Sequence, residues 1–379
     1  MVIIEFMDMK STKFGGLGRF MIRLMQNMPD AKFHFVFQNF PQSEEMVQIF
    51  HNLNAEIHVI DTEGKRAIKN IFKVYKLFRI VKPDIVHFHF SNSFFLYAPL
   101  AKCLGIKHLF KTQHCCFTKD DLTQIKSKDQ FNLKTKIASW NGHIYKLFDK
   151  IIMCGKYVEK QFKEIYGPSD NYQMIYFGVE PVERLSEESI RLMREQYKIS
   201  KDDVVIVTTA FANPVKGVDV LIKALSYIKS KHFVVILLGL DESLPLTQYY
   251  HQLAISLGVD SFIRWIGITR QVGHFLSIAD IYCQPSRSEA LTLAVCEAKS
   301  VSLPIVGANV GGLPEISDLV FPCEDSSSLG ALLDLLIGNK NKRLDLGHQS
   351  YNSYLANFSI HDGIDGYSRL YREGYAFCH

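Results

Sequence analysis

The sequence predicts an α/β protein made of two doubly wound units, and three observations lead to this fold class. The chain has 379 residues, about two and a half times the length of an average domain, so two domains are expected. Hydrophobic residues make up 47% of the chain and charged residues 22%, which excludes a disordered protein. Short apolar runs rich in β-formers alternate with longer amphipathic stretches, as in βαβ units around a parallel sheet.

The first half contains the pattern of one such unit, which we place at residues 1–183. Its candidate strands are Val2–Phe6, Lys32–Gln38, Glu56–Ile60, Ile85–Phe90, His108–Thr112, Lys150–Cys154 and Gln173–Tyr176. Its candidate helices are Gly18–Met28, Lys65–Val81 and Gly155–Tyr166. The boundary is expected near Phe177–Leu185, where Gly178 and Pro181 precede a polar helix start.

The second half repeats the alternation, and we place a second unit at residues 184–358. Its candidate strands are Val204–Thr209, His232–Leu238, Phe262–Trp265, Ile281–Gln284 and Pro304–Gly307. Its candidate helices are Glu187–Tyr197, Gly217–Tyr227, Gln248–Leu257, Val272–Ile278 and Leu293–Ser300. Ligands of such sheets bind outside the carboxyl ends of the strands, so we expect a crevice shared by the two units.

Charge and cysteine content narrow the class of protein further. Residues 1–180 carry 25 Lys and Arg against 17 Asp and Glu. This basic excess suits an anionic membrane, a phosphate-bearing substrate or nucleic acid, and a solvated lysine-rich surface is the alternative. The eight cysteines form no CxxC pair and no zinc-like Cys/His spacing, and the N-terminus lacks the pattern of a signal peptide. We therefore expect a reducing, cytoplasmic protein whose cysteines mostly fill the core.

Two motifs of the first unit follow predicted strands. The run Gly15–Gly18, followed by Arg19, precedes a helix, so its N–H groups and guanidinium are suited to an anion; a flexible loop is the alternative. His87, His89 and His114 lie at strand ends, where sites are built. Bonding to backbone is the plainer interpretation of the first two. A metal is not expected because no carboxylate or cysteine follows them at ligand spacing.

Two motifs of the second unit carry charge to strand ends. Lys216 lies before the helix-opening Gly217 in a loop that begins at Asn213, where an ammonium can neutralise phosphate; a solvated helix-start lysine is the alternative. Glu289 lies in a loop, and Glu297 follows eight residues later in an apolar helix. A carboxylate there needs partners, and sugar hydroxyls are suitable ones, although a surface glutamate is the alternative.

Taken together, these motifs resemble the retaining glycosyltransferases of family 4, which have the GT-B fold of two Rossmann-like domains. The resemblance covers nearly the whole chain. It rests on the E-x7-E spacing of Glu289 and Glu297, the run PIVGANVGGLPE, Lys216–Gly217, Gly15–Gly18, the PDIVH run at Pro83–His87 and the turn Phe177–Val179. It also implies that residues 359–379 form a helix crossing back to the N-terminal domain.

The resemblance implies a role for each matching position. Glu297 would bind the ribose, Glu289 the donor sugar, and Lys216 the diphosphate of a UDP- or GDP-linked sugar. The donor would also meet the backbone of Ala290, Leu291, Thr292 and Leu293. Its base would lie against Gly267 and Ile268, in the turn Gly267–Arg270. His114 would contact the donor sugar as a catalytic residue, and Gly16, Arg19 and Asn213 would help to bind the donor.

The resemblance further implies transfer to a hydroxyl of a glycan or lipid-linked acceptor, with no metal cofactor because a cation replaces the ion at the diphosphate. The basic first unit would meet an anionic membrane, and nucleic acid is not an expected partner. The family's usual arginine five residues before the lysine is Phe211 here, and Arg19, Arg270 and Arg287 are possible substitutes. A nucleotide-sugar epimerase and a non-catalytic nucleotide- or glycan-binding subunit are the alternatives.

Overall fold

The computed structural model describes residues 1–8, 15–62, 65–90, 93–117 and 142–376. The chain forms two compact units. The first comprises Met1–Gly178 with Ile360–His379, and the second comprises Val179–Ser359. Each unit has its own sheet and its own core, and the two are described in turn.

The first unit is built on a parallel sheet. Within its described residues, the strand order is β3-β2-β1-β4-β5-β6-β7. The strands are β1 Val2–Phe6, β2 Lys32–Phe37, β3 Glu56–Val59, β4 Ile85–Phe88, β5 His108–Gln113, β6 Lys150–Met153 and β7 Tyr172–Met174. Each predicted strand is present, with ends that shift by at most two residues. All neighbours run parallel, so the carboxyl ends of the strands share one edge.

Helices flank this sheet in the first unit. They are Gly16–Asn27, Glu44–Asn52, Lys65–Lys69, Ile71–Val81, Phe94–Cys103, Lys156–Tyr166 and Ile360–Ala376. The single helix predicted over Lys65–Val81 is wrong, because Asn70 separates two helices. The Asn70 side chain donates to the carbonyl of Asp61 at 2.7 Å, so this amide bonds the preceding loop at the break.

The last helix, Ile360–Ala376, belongs to the first unit and packs on the helix Gly16–Asn27. Asn27 donates to the Ser368 hydroxyl at 2.9 Å, and the ring of Tyr367 meets that of Phe20 edge to face. The C-terminal segment therefore completes the core that the N-terminal segment begins.

The second unit contains another parallel sheet, in the order β10-β9-β8-β11-β12-β13. The strands are β8 Val204–Thr209, β9 Phe233–Leu238, β10 Ile263–Ile266, β11 Ile281–Gln284, β12 Ile305–Ala308 and β13 Leu319–Phe321. Every residue of β9 is buried, as expected for a strand covered on both faces. Two parallel α/β sheets confirm the predicted fold class.

Helices also cover the second sheet. The longer ones are Glu187–Gln196, Val218–Leu225, Pro245–Ser256, Leu293–Ser300, Ser326–Gly338 and Lys340–Asn357. Shorter turns of helix are Pro214–Lys216, Asp260–Phe262, Val272–Ser277 and Leu313–Ile316. The predicted range Leu293–Ser300 is confirmed, and it places Glu297 on a helix that follows β11.

The cysteines only partly meet the expectation of core filling. Cys154, Cys283 and Cys296 are buried, whereas Cys103 and Cys115 are exposed and the remaining described thiols are half-buried. Cys378 lies outside the described residues. None of the helices in the described part of the chain has the length and apolar character needed to cross a bilayer.

Candidate functional site

The loops at the carboxyl edge of the second sheet pack against one another through glycines. A methyl group on Gly217 would lie 2.0 Å from the carbonyl oxygen of Pro285, and one on Gly311 would lie 1.9 Å from that of Glu289. Gly217 and Gly311 also have φ values of +65° and +55°, which disfavour any other residue. The loops after β8, β11 and β12 therefore form one continuous backbone shelf.

Lys216 and Glu289 meet on this shelf. The Lys216 ammonium lies 2.7 Å from Oε1 of Glu289, and both side chains are mostly shielded, at 16% and 11% exposure. The ammonium also lies 4.9 Å from the ring centroid of Phe211, on the face of that ring. The two residues predicted to bind the diphosphate and the sugar are therefore brought together, although 73 positions separate them.

A line of buried polar side chains supports Glu289 from below. The Tyr282 hydroxyl bonds Thr209 at 2.6 Å and Gln284 at 2.9 Å. Gln284 then donates to Ser286 at 2.8 Å, and the Ser286 hydroxyl donates to Oε1 of Glu289 at 2.9 Å. The sequence analysis missed this support, whose only signal is the alternation of polar residues at the end of β11. The side-chain hydrogen bonds of Glu289 to described residues all fall on Oε1, so Oε2 accepts from no other described residue.

The helix Leu293–Ser300 begins beside this pair. Thr292 occupies its N-cap position without a side-chain cap, and the backbone N–H groups from Ala290 to Ala294 donate to no other described residue. Unsatisfied N–H groups at a helix start attract anions. Glu297 lies on the second turn of this helix. It is half-buried rather than fully buried, so the desolvation cost of its carboxylate is smaller than the sequence suggested.

Arg287 does not replace the arginine that is missing at position 211. It makes a bidentate pair with Asp219, at 2.9 Å for both bonds, and also pairs with Glu324. Burial tends to raise the pKa of Asp219, but the bonds and charges of Arg287 and Lys223 lower it overall. Arg287 therefore serves to fix the loop, and Arg270 stands exposed after β10.

The other predicted donor residues of the second unit also lie on loops after its strands. The Asn213 side chain accepts from the N–H of Val215 at 2.9 Å and so shapes its own loop. Gly267 accepts a backbone bond from Gly239 at 2.6 Å, which joins the loops after β10 and β9. Ile268 follows it and is 62% exposed, so an apolar side chain faces solvent at this edge.

The first unit holds the remaining predicted site residues. Gly16 begins the helix Gly16–Asn27, two residues earlier than the predicted start at Gly18, and Arg19 lies exposed in its first turn. His114 directly follows β5 and is half-buried. Their assignment to the donor stays a prediction.

His114 is the outer end of a buried chain of hydrogen bonds. Its Nε2 lies 2.9 Å from Nδ1 of His89, and Nε2 of His89 lies 2.9 Å from Oε2 of Glu5. Burial raises the pKa of Glu5 to about 8, against the hydrogen bond from Tyr371, and lowers the pKa of His89 to about 3. Near neutral pH the contact is therefore a bond between a carboxylic acid and a neutral imidazole.

The direction of this chain follows from the proton on Glu5. The acid donates to Nε2 of His89, so His89 must donate through Nδ1 to Nε2 of His114. Burial lowers the pKa of His114 well below 6.5, so its imidazole is neutral and carries its proton on Nδ1. Glu5 and His89 thus set the tautomer of His114.

His87 belongs to the same network by another route. Its Nδ1 bonds the Tyr371 hydroxyl, and its Nε2 lies 2.9 Å from the hydroxyl of Thr112. Tyr371 in turn donates to Glu5 at 2.8 Å. The expected backbone bonding of His87 and His89 is wrong, because side chains of distant strands and of the last helix are their partners. The sequence showed no carboxylate at ligand spacing after these histidines, but Glu5 of β1 places one beside them.

Among the proteins that the chain resembles are two glycosyltransferases and one solved structure. The O-antigen biosynthesis glycosyltransferase WclY of Escherichia coli is 22% identical over 228 residues, which cover 60% of this chain and 62% of WclY. The uncharacterized glycosyltransferase MJ1178 of Methanocaldococcus jannaschii is 25% identical over 371 residues, which cover 95% of each chain. HepE of Anabaena, solved with UDP, superposes with a TM-score of 0.82 at 16% identity, over 98% of this chain and 100% of that one.

Two family models match the chain in succession. The model "Glycosyltransferase Family 4" matches residues 14–183, and the model "Glycosyl transferases group 1" matches residues 189–353. Between them they account for most of both units. The chain therefore belongs to the glycosyltransferases that these two models describe.

Proposed function

We propose that this protein moves a sugar from a nucleotide-diphosphate sugar to a hydroxyl acceptor and retains the configuration of the sugar. The observation that carries the proposal is the contact of Lys216 with Glu289 beside the free N–H groups that open the helix Leu293–Ser300. A cation, a hydrogen-bond acceptor and a helix start within one loop cluster suit a ligand that has both phosphate and hydroxyl groups.

Each of the two glutamates would bind a different part of the donor. Glu289 keeps Oε2 open among the described residues, so it accepts from a sugar hydroxyl while Oε1 remains bonded to Lys216 and Ser286. Glu297 accepts from the ribose hydroxyls, and the exposed apolar side chain of Ile268 lies against the base. UDP is the first nucleotide to test because HepE was solved with UDP and with UDP-glucose.

The leaving diphosphate gains negative charge as the sugar departs. The Lys216 ammonium and the N–H groups near Leu293 stabilise that charge, which is the largest contribution expected in such a reaction. We propose that no metal ion takes part at this position, since the ammonium supplies the positive charge.

Retention follows if the acceptor attacks the face that the diphosphate leaves. Glu289 is held by Lys216 and by Ser286, so its role is to orient the sugar rather than to attack it. The acceptor hydroxyl then loses its proton to the departing phosphate. His114, whose tautomer Glu5 and His89 fix, would bind a sugar hydroxyl through its Nδ1–H.

We propose that the acceptor is a lipid-linked or surface glycan and that the protein works in the cytoplasm against the inner face of the membrane. The helices Lys65–Lys69 and Ile71–Val81 support this, because they expose large apolar side chains among lysines. Ile68, Phe72 and Ile80 are 60%, 62% and 79% exposed. A basic face with free apolar side chains is suited to anionic lipid headgroups.

The membrane contact can be tested with vesicles. We expect the full chain to sediment with vesicles that contain an anionic lipid and to stay in solution with zwitterionic ones. The pair Phe72→Ser and Ile80→Ser should abolish sedimentation, whereas Ile255→Ser, at a 58% exposed isoleucine of the second unit, should not. Equal sedimentation of both variants would refute this surface as the contact.

The transfer is tested by turnover of a nucleotide-sugar panel with a polyprenyl-linked glycan acceptor. The expected result is nucleotide release together with a product whose anomeric coupling constant matches that of the donor. An inverted product would refute retention while leaving the transferase intact.

A non-catalytic nucleotide-binding subunit is the second candidate, and Phe211 favours it. This ring occupies a position where the resembled family has an arginine, and it contacts Lys216 instead. Nucleotide binding without turnover of any nucleotide sugar in the panel would support this candidate.

A further inference from the structure

A second cluster of ligand-type side chains lies at the opposite side of the first sheet from β7, where β3 forms the edge. His34 of β2 is the register partner of Glu56 of β3, and His58 follows Glu56 two residues later. Residues two apart on a strand point to the same face, so all three side chains project from one face of the sheet.

The three groups converge on a common point. Nδ1 of His34 lies 3.0 Å from Nε2 of His58 and 3.5 Å from Oε2 of Glu56, and the last two atoms are 4.0 Å apart. A point equidistant from these three atoms lies about 2.1 Å from each, which is the bond length of zinc to imidazole nitrogen and carboxylate oxygen.

We propose that His34, Glu56 and His58 bind one divalent ion of the zinc class, with a water molecule in the fourth position. Two imidazoles and one carboxylate are a donor set that zinc takes in proteins. The ion would cross-link the edge strand β3 to its neighbour β2.

The surroundings of the cluster suit an ion that arrives from solvent. The Glu56 side chain is 52% exposed and that of His58 24%, whereas His34 at 8% forms the floor. Lys32 contacts only the other oxygen of Glu56, Oε1, at 3.2 Å, and it also donates to the carbonyl of Asn54 at 2.7 Å. Oε2 of Glu56 is therefore left facing the imidazoles.

A comparison with the other cluster of this kind, Glu5 with His87 and His89, shows what sets the edge cluster apart. In the buried cluster Glu5 and His89 bond each other, the remaining ligand atoms bond Tyr371, Thr112 or His114, and all three side chains are completely buried. The edge cluster is shallow and open. Spacing along the sequence could not reveal it, because the ligands come from two strands.

The test uses the full chain after removal of metal with a chelator. Titration with Co²⁺ should give visible d–d absorption that saturates at one ion per chain and disappears on addition of Zn²⁺. His34→Gln, His58→Gln and Glu56→Gln should each weaken Co²⁺ binding by at least about tenfold. His51→Gln, which removes an exposed histidine of the same unit, is the matched control and should bind as the parent does.

A second readout separates lost ligands from lost folding. Zn²⁺ should raise the melting temperature of the parent and of His51→Gln, because it binds only the folded chain, and should leave that of His58→Gln unchanged. The metal-free variants should melt with the parent. Equal Co²⁺ affinity in the parent and in a His34→Gln, His58→Gln double variant would overturn the proposal, as would absence of metal binding by the parent. Neither result bears on sugar transfer.

Discussion

The carboxyl edges of the two sheets differ in the chemical groups that form them. In the second unit the edge consists of tightly packed backbone loops, where glycines bring Pro285 and Glu289 against neighbouring turns and one ammonium meets one carboxylate. In the first unit the corresponding edge is a buried network of ionisable side chains that connects Glu5 to His114.

Each edge can serve a reaction in a different way. A backbone shelf presents N–H groups and a few charges, which suits a ligand that carries its own charge. A buried network of neutral acids and imidazoles instead holds one side chain in one tautomer. Variants of the charged side chains on the shelf should therefore act mainly on ligand binding and turnover, and variants of the buried network should act on stability and on its dependence on pH.

The largest effect is expected from Lys216. Lys216→Met keeps the aliphatic stem but removes the charge that would stabilise the leaving diphosphate, so turnover should fall about 100- to 1000-fold. Nucleotide release from UDP-glucose measures it. Lys223→Met, which removes a lysine paired with Asp219, is the control and should keep most of the turnover. Similar losses in both variants would contradict a specific role for Lys216.

The next largest effect is expected from the close packing of the loops at Gly217. Gly217→Ala has to meet both a φ of +65° and a carbonyl oxygen 2.0 Å from the new methyl group, so the free energy of unfolding should fall by more than about 3 kcal/mol. Gly258→Ala is the matched control, because Gly258 has a φ of +67° and no atom within 4 Å of that position.

The Gly258→Ala variant should lose only about 1 kcal/mol, which is the cost of the backbone conformation alone. Denaturant unfolding followed by tryptophan fluorescence compares the two. Equal losses would mean that the loops after β8 and β11 are not in the close contact described above.

The network of the first unit should respond to removal of Tyr371. Tyr371→Phe removes the buried hydrogen-bond partner of Oε1 of Glu5 and of Nδ1 of His87, so the free energy of unfolding should fall by about 1–3 kcal/mol. The control Tyr75→Phe changes a 36% exposed tyrosine of the same unit and should be neutral. Thermal unfolding of both variants checks this, and a neutral Tyr371→Phe would argue against the network.

A smaller effect concerns pH. The pKa of Glu5 is raised from 4.5 to about 8 by burial, so the folded chain holds a proton that the unfolded chain has released between these values. Stability from this group is therefore complete below about pH 4.5 and declines as pH rises toward 8, by at most about 1.4 kcal/mol per pH unit.

Glu5→Gln removes this decline because the amide mimics the protonated acid. The histidines have lowered pKa values and destabilise the fold only as pH falls below 6.5, so they do not interfere above that pH. Melting temperatures of the parent and of Glu5→Gln at pH 6.5, 7.25 and 8 should diverge in favour of the variant. Parallel curves would refute a protonated Glu5.

The smallest effect is expected from Phe211. Its ring lies under the Lys216 ammonium, a contact worth about 0.5–1 kcal/mol at an exposed site. Phe211→Leu should therefore weaken binding of UDP about two- to fivefold, as measured by calorimetry. Tyr227→Leu, at a 55% exposed tyrosine of the same unit, should leave binding unchanged. A gain in affinity would instead mean that Phe211 obstructs the site.

Much of the fold followed from the sequence because its signals are local. The ranges of β1, β8 and β11 agree with the prediction, since buried apolar runs bounded by polar residues define a strand without outside information. The helix Phe94–Cys103 was missed because it is apolar nearly all round and contains Pro99, so it shows little periodicity. The strand β13 has only three residues, too few for a pattern.

The parts of the site that lie in short sequence motifs could be predicted, whereas the parts whose residues are far apart in the sequence could not. The sequence placed Lys216 and Glu289 on loops after strands, and the structure brings them together. Glu5, His89 and Tyr371 were not predicted as partners because 84 and 366 positions separate the bonded pairs. Only the parallel order of β1, β4 and β5 and the return of the last helix bring such residues together.

We propose that the second unit binds a nucleotide-diphosphate sugar through Glu289, Glu297 and Lys216. Thermal unfolding with UDP, GDP, ADP, CMP and their common sugars tests it directly, because a ligand at 100 times its Kd stabilises the folded state by about 2.7 kcal/mol. We expect one nucleotide class to raise the melting temperature of the parent and of Glu195→Gln, an exposed helix control, but not of Glu297→Ala. Equal stabilisation of Glu297→Ala, or none of the parent by any nucleotide, would contradict the claim.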